Sequence, residues 1–356
     1  MTFPLIAITM GDPAGIGSEI IVKTLSQIET YAISRPMVVG AALALEDACR
    51  ITHRSLKINR IAHPLDGKFQ FGMIDVIDLA NVDMSALIYG QCSAECGKAA
   101  GEYIEKAIHL ALAKEVDAIV TAPIHKRSFV LGGWGKKYAG HTEMFADLTH
   151  TAKYTMMLAH GDFRVVHVST HISLAEACRR VKKDRVLEVI RIAHSACKDL
   201  GITAPRIGVA GLNPHASEGG LFGREDLDEI EPAVKAAQEE GILAEGPVAP
   251  DTLFSKARGG MYDIAVAMYH DQGHIPLKVA GFEYNEATKT WKSVSGVNVT
   301  LGLPIIRVSV DHGTAFGKAG KGCASAGSLN DAIRMAVAFA NGKLQKVSGQ
   351  YKNAAS

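Results

Sequence analysis

Short apolar runs alternate along the whole chain with segments whose apolar positions recur at helical spacing. The runs are Pro4-Leu5-Ile6-Ala7-Ile8-Thr9, Ala118-Ile119-Val120, Val165-Val166-His167-Val168, Ile207-Gly208-Val209-Ala210, Ile264-Ala265-Val266-Ala267-Met268 and Ile305-Ile306-Arg307-Val308-Ser309-Val310. Apolar residues at successive positions suit strands covered on both faces, as in parallel sheets. Between them, Ala100, Ile104, Ala107, Ile108 and Ala111 fall on one helical stripe. Val186, Val189, Ile190, Ala193 and Cys197 form another, ahead of Gly201. Ser328-Leu329-Asn330-Asp331 has the form of a capping box and opens a helix that Asn341-Gly342 can close. The alternation predicts an α/β fold with a mostly parallel sheet. Residues Glu283 to Ser295 are polar and follow neither period, so they read as an exposed loop or insertion, with a flap as the sharper alternative.

A chain of 356 residues exceeds what one core usually supports, so two domains are expected. Its net charge of +1 gives no electrostatic reason to expect nucleic acid or an anionic membrane as partner. The start Met1-Thr2-Phe3-Pro4 lacks the basic, then apolar, pattern of a signal peptide, and no apolar run is long enough for a bilayer. Six scattered cysteines suggest no disulfide framework and fit a reduced cytoplasm. Cys92 and Cys96, in a helix start, have no second pair at zinc spacing and read as packing residues.

Candidate chemistry gathers where strands end. After the first strand comes Gly11-Asp12-Pro13-Ala14-Gly15-Ile16-Gly17, leading into a helix at Ser18-Glu19. Such glycines let a backbone turn tightly or approach a ligand, and the helix start offers N–H groups to an anion. The spacing is neither G-x-G-x-x-G nor a P-loop. Three other runs lead to a histidine: Ser169-Thr170-His171, Asn213-Pro214-His215 and Tyr269-His270-Asp271. Parallel strands bring their carboxyl ends to one crevice, where imidazoles can hold a divalent metal with positions open for substrate. Any one of these histidines is more simply a hydrogen-bonded structural residue; three strand ends with Asn213 and Asp271 point to a site. His167 falls inside its strand and reads as core. Thr121-Ala122-Pro123-Ile124-His125-Lys126, Gly140-His141-Thr142-Glu143, Lys278, Asn298 and Arg307 offer groups suited to a carboxylate or phosphate. A solvated charge is the plainer reading of Lys126 and Lys278, and a buried ion pair that of Arg307. Val310-Asp311-His312-Gly313-Thr314-Ala315 and Ala319-Gly320-Lys321-Gly322 form a loop able to wrap a nucleotide.

Taken in order, Gly11 to Gly17, Thr121 to Lys126, Gly140 to Glu143, Ser169 to His171, Asn213 to Ala216, Pro250-Asp251-Thr252, Tyr269 to Gly273, Gly302 to Arg307 and Asp311 to Ala315 resemble the 4-hydroxythreonine-4-phosphate dehydrogenase (PdxA) family. The likeness runs to about Ala340. It implies two α/β/α domains similar to isocitrate and isopropylmalate dehydrogenases: residues 1–125 with 305–356 for NAD, and 126–304 for metal, substrate and dimerisation. It also implies a homodimer with a shared active site, NAD as oxidant, and a divalent cation (zinc, magnesium, manganese or cobalt) on His171, His215 and His270. Substrate contacts fall on His141, Thr142, Lys278, Asn298 and Arg307, and NAD contacts on Gly11, Gly15, Gly17, His312, Gly313, Thr314 and Ala315.

Two departures stand out. Ser18 replaces a customary Pro, and Glu283 to Ser295 separates Lys278 from Asn298, where typical members pass almost directly from Gly-Phe to Gly-Val-Asn. Met10-Gly11-Asp12, Ser169 to His171 and His270-Asp271-Gln272-Gly273-His274-Ile275-Pro276 are closer to a branch resembling D-threonate and D-erythronate 4-phosphate dehydrogenases of sugar-acid catabolism; aromatic cis-dihydrodiol dehydrogenases resemble it too. The expected reaction is oxidation of a phosphorylated β-hydroxy acid followed by loss of CO2, with Asp271 or Lys278 as base and Asp251 orienting a ligand. 4-Hydroxythreonine phosphate would give an amino-hydroxyacetone phosphate; threonate or erythronate phosphate would give dihydroxyacetone phosphate. The non-enzyme alternative is a metal-binding sensor on the same fold.

Overall fold

The computed structural model describes residues 3–287, 289–294 and 296–353. It forms two compact units, residues 1–152 with 303–341, and 153–302 with 342–356. The first opens with β1 (Leu5–Thr9), α1 (Gly17–Leu25), α2 (Ile28–Tyr31), β2 (Arg35–Gly40), α3 (Ala42–Ile51), β3 (Lys57–Ile61) and β4 (Met73–Asp78). It continues with α4 (Ala94–Leu112), β5 (Ala118–Thr121), α5 (Lys126–Leu131) and α6 (His141–Leu148). The second unit carries β6 (Thr155–His160), β7 (Phe163–His167), α7 (Leu174–Arg180), α8 (Lys183–Asp199), β8 (Arg206–Ala210), α9 (Glu231–Glu239) and β9 (Leu243–Val248). Then come α10 (Pro250–Arg258), β10 (Ile264–Ala267), α11 (His270–Gly281), the hairpin β11 (Phe282–Asn285) and β12 (Thr290–Val294), and β13 (Val297–Leu301). β14 (Arg307–Val310) returns to the first unit, and α12 (Gly327–Asn353) contributes residues 327–341 there.

In the first unit the strands run β3-β4-β2-β1-β5-β14, each pair parallel. Every residue of β1 is buried, which explains its unbroken apolar run. α4 turns Ala100, Ile104, Ala107, Ile108 and Ala111 inward, the stripe its sequence predicts. Its N-cap is Ser93, whose hydroxyl accepts from the Cys96 N–H at 3.0 Å. In the second unit the order is β13-β6-β7-β10-β8-β9. β7, β10, β8 and β9 run parallel, while β6 is antiparallel to both β7 and β13. Adjacent, parallel β7, β10 and β8 therefore release their loops on one edge. No helix of the described residues is long and apolar enough to cross a membrane, and all six cysteines are unpaired.

The compact units divide after residues 152 and 302, with α5 and α6 packed on α4 in the first. Two expectations need correction. α12 does not close at Asn341-Gly342: Gly342 lies inside it, where a Cβ would meet the Asp199 carbonyl oxygen at 1.8 Å, so the glycine permits a close approach. α12 also begins at Gly327, and the Ser328 hydroxyl accepts from the Asp311 N–H at 3.2 Å. The expected loop at Glu283 to Ser295 is a hairpin as far as it is described; Thr288 and Ser295 lie outside the described residues. Its turn carries no Asn-Gly signal. Asn285 caps it instead, its Oδ1 accepting from the Ala287 N–H at 3.0 Å.

Candidate active site

The loops after β7, β10 and β8 carry His171, His270 and His215, as the strand-end pattern predicts. His171 and His270 meet: their ring centroids are 5.8 Å apart. With metal–nitrogen bonds of about 2 Å, two imidazoles sharing a tetrahedral ion have centroids about 5 Å apart, so this donor pair fits a divalent cation after slight rotation. His215 is not brought to them. Among the described residues no group of three or more His, Cys, Asp or Glu is close enough to hold an ion. His215 begins a run of left-handed residues through Gly219 and lies near Phe222, with ring centroids 6.1 Å apart. Buried Asp226 ties that loop down: its carboxylate accepts from the Leu212 N–H at 2.7 Å and from Asn213 Nδ2 at 2.9 Å. Asn213 is thus a structural tie.

Asp271 accepts from His270 Nδ1 at 2.7 Å and is itself exposed. That bond places the ring proton on Nδ1 and leaves Nε2 for a ligand, the usual carboxylate–histidine arrangement at metal sites. Asp251, in the first turn of α10, lines with Asp271, Tyr269 and Ile275 an open cavity of roughly 560 Å³. Lys278, on the last turn of α11, holds its Nζ 5.5 Å over the Phe282 ring. Asn298, on β13, donates from Nδ2 to Met156 Sδ at 2.8 Å.

Two histidines behind this edge are deeply buried. His167, the last residue of β7, is fully buried, as expected of a core residue; its Nδ1 donates to the Met156 carbonyl at 3.2 Å. Burial, with the neighbouring His274, pushes its pKa down to about 3. His274 is held near 4 for the same reasons: burial first, then the positive charge His270 can carry. Both rings are neutral at neutral pH. Unfolding returns His167 to about 6.5, so its stabilising contribution is complete above that pH and is lost as pH falls toward 3. By pH 5 that loss should reach roughly 2 kcal/mol. The wild type should therefore lose more Tm between pH 7 and 5 than His167→Leu; parallel curves would contradict this.

In the first unit Arg307, on β14, is 3% exposed, donates to Thr121 Oγ1 at 3.0 Å and lies 5.5 Å from the Phe145 ring. Burial lowers its pKa to about 10, against the pull of Glu143, so it stays charged at neutral pH. His141 opens α6 next to Thr142, with its Nε2 buried. Burial and then the charge of Arg307 hold its pKa well below the usual range. A fixed cation beside a neutral imidazole is a setting for an anion.

The glycine loop serves the fold. Gly11 has φ +74°, and a Cβ there would meet the Pro123 carbonyl oxygen at 2.3 Å. At Gly17 the Met10 carbonyl oxygen would lie 2.1 Å away, and at Gly15 the Thr314 Cβ 3.0 Å. Gly11, Gly15 and Gly17 are buried, so their missing side chains admit protein backbone and Thr314. Thr314 is buried too, its carbonyl accepting from the Ile16 N–H at 3.2 Å. Gly313 and Ala315 are exposed, and nothing stands within 4 Å of a Cβ on Gly313. His312 Nδ1 bonds its neighbour's carbonyl at 3.0 Å, and burial lowers its pKa. Sequence reading missed Cys92, whose Sγ lies 3.2 Å from His125 Nδ1 while that ring stacks on Phe316 at 4.4 Å. Nothing in the local spacing signals a pair separated by a whole helix.

Known proteins resemble this chain over nearly its whole length. Residues 32–336 match the family described as Pyridoxal phosphate biosynthetic protein PdxA. The chain is 47% identical to a D-threonate 4-phosphate dehydrogenase of Cupriavidus necator, over 95% of this chain and 97% of that one. A 4-hydroxythreonine-4-phosphate dehydrogenase structure from Burkholderia phymatum superposes with TM-score 0.83 at 45% identity, covering 95% and 99% of the two chains. A terephthalate 1,2-cis-dihydrodiol dehydrogenase from Burkholderia xenovorans gives TM-score 0.65 at 30% identity, covering 94% and 98%. The chain belongs to the PdxA family and is an oxidoreductase of the dehydrogenase class that acts on CH–OH groups.

Proposed function

We propose that this chain is an NAD-dependent dehydrogenase of a phosphorylated four-carbon hydroxy acid, oxidising its β-hydroxyl to a ketone that then loses CO2. The carrying observation is the His171–His270 pair at the edge of adjacent parallel strands, with Asp271 setting the His270 tautomer. D-Threonate 4-phosphate is the first choice of substrate, since a relative named for it matches at 47% over nearly both chains. 4-Hydroxythreonine 4-phosphate is the second, since relatives named for it share the fold at 45% identity.

When bound, a divalent cation acidifies a coordinated hydroxyl and stabilises negative charge during decarboxylation, while NAD accepts the hydride. His171 and His270 hold that cation, and Asp271 keeps the His270 proton on Nδ1. Because Asp271 is engaged in this way, Lys278 is assigned as the base for the substrate hydroxyl. A third imidazole, from His215, is supplied by the second subunit of a homodimer, a reading supported by the lack of a third donor within one described chain. Arg307, with His141 and Thr142, takes an anionic end of the substrate, while Lys278 and Asn298 orient its hydroxyls. NAD contacts are assigned to the loop His312 to Ala315, whose Gly313 is open on its Cβ side. Six unpaired cysteines suit a cytoplasmic setting.

The test is NADH formation with Mg2+, Zn2+, Mn2+ or Co2+ and a panel of D-threonate, D-erythronate and 4-hydroxythreonine 4-phosphates plus a cis-dihydrodiol. D-Threonate 4-phosphate should exceed 4-hydroxythreonine 4-phosphate in kcat/KM by about 10-fold or more, since the site must satisfy a hydroxyl in one and an ammonium in the other. Turnover of none of the acids, with any of the metals, would remove the assignment and favour a metal-binding sensor.

A further inference from the structure

We infer that His274 is a positioning residue: its ring, backed by His167, stacks on His270 and fixes the plane in which His270 presents its nitrogen to a cation. This rests on the metal reading above. His270 is the first residue of α11, and the preceding Tyr269 makes no side-chain cap, so the helix end alone gives its ring little restraint. Its side chain is 37% exposed. Asp271 fixes which nitrogen is protonated, but that carboxylate is 70% exposed and free to follow the ring. The ring plane needs another support.

His274 supplies it. Four residues on, it lies on the same helical face. Its ring is 3.6 Å from that of His270 and tilted by only 14°. Its Nδ1 donates to the His270 carbonyl at 2.9 Å, which sets its own orientation. Behind it stands His167, 4.7 Å between centroids, anchored on β7. The intervening Gly273 explains the closeness: a Cβ there would lie 2.4 Å from His167 Nε2 and 2.7 Å from Val165. The missing side chain lets α11 press against the sheet, and a row of rings forms from the core to the edge: His167, His274, His270, His171. Outer-shell partners that orient metal-binding histidines are commonly worth about 10–100-fold in affinity.

Metal-stripped protein titrated with Co2+, followed by its visible absorption, tests this without turnover. His274→Leu and His274→Gln, which remove the aromatic face, should bind Co2+ about 10-fold or more weakly and alter the Co2+ spectrum. His274→Phe, which keeps that face, should stay within about 3-fold of wild type. Tm, measured alongside, separates lost packing from lost positioning: the inference requires Phe and Leu to differ in Co2+ affinity beyond any difference in Tm. It is overturned if Leu and Gln bind Co2+ as wild type does, or if Phe is as weak as they are. His270→Ala is the control. Should it weaken Co2+ while the His274 variants do not, the metal reading stands and the positioning role falls; should it leave Co2+ binding intact, both fall.

Discussion

His270→Ala is expected to lower kcat/KM for the phosphorylated acid by about 1000-fold or more, on the order of 4 kcal/mol of transition-state stabilisation. Tm should move by no more than a few degrees, because the removed ring is 37% exposed and begins its helix. Asp271→Asn should cost less, about 10-fold, since it disturbs the tautomer of a ligand that remains. His215→Ala should match His270→Ala in severity, although His215 sits in a separate loop of the same chain. That equality follows only if His215 serves a second subunit, which gives a sharper test. In a mixed dimer of His270→Ala and His215→Ala chains, one site would carry both lesions and the other neither. Co-expression should therefore restore roughly half of wild-type turnover per mixed dimer. If the mixed dimer is as dead as either parent, His215 and His270 belong to one subunit; a fully active His215→Ala parent would place His215 in no site.

Much of this was legible in the sequence because parallel sheets write themselves plainly. β1, β5, β8 and β10 are apolar at nearly every position, and β7 and β14 are largely buried although they carry Arg164, His167, Arg307 and Ser309. Strand-end position led to the expectation that His171, His215 and His270 share one edge, and the structure makes β7, β10 and β8 adjacent and parallel. What sequence could not supply was distance beyond that edge. Whether His215 reaches His270 depends on the Asp226 knot, whose partners Leu212, Asn213 and Ser217 carry no periodic signal. The glycine loop shows a related point. Glycine reports a close approach but not what approaches, and at Gly11 and Gly17 it is the protein's own carbonyl. The α12 boundary failed likewise: Gly342 reads as a stop locally, while its function is to admit the Asp199 carbonyl. His274 was quoted only as part of a motif, since a stacking partner four residues along a helix looks like any other buried ring.

Arg307→Met is expected to raise KM for the phosphorylated acid about 100-fold or more, because a charge-assisted contact with the substrate anion is lost. The physical case lies in a charged guanidinium fixed in a buried position beside a neutral imidazole. The guanidinium is 3% exposed, and burial, against the pull of Glu143, lowers its pKa to about 10. It donates to Thr121 Oγ1, faces the Phe145 ring and feels the charge of Glu143, while His141 beside it stays neutral. Replacing a buried cation by an apolar side chain of similar length is often neutral or stabilising, so Tm should hold or rise. Arg307→Lys should fall between, keeping the charge but losing the planar fork. Inorganic phosphate should compete with substrate in the wild type and lose that effect in Arg307→Met. The opposite pattern, an unchanged KM with a collapse in Tm, would make Arg307 a structural partner of Glu143 and leave the anionic end of the substrate to other groups.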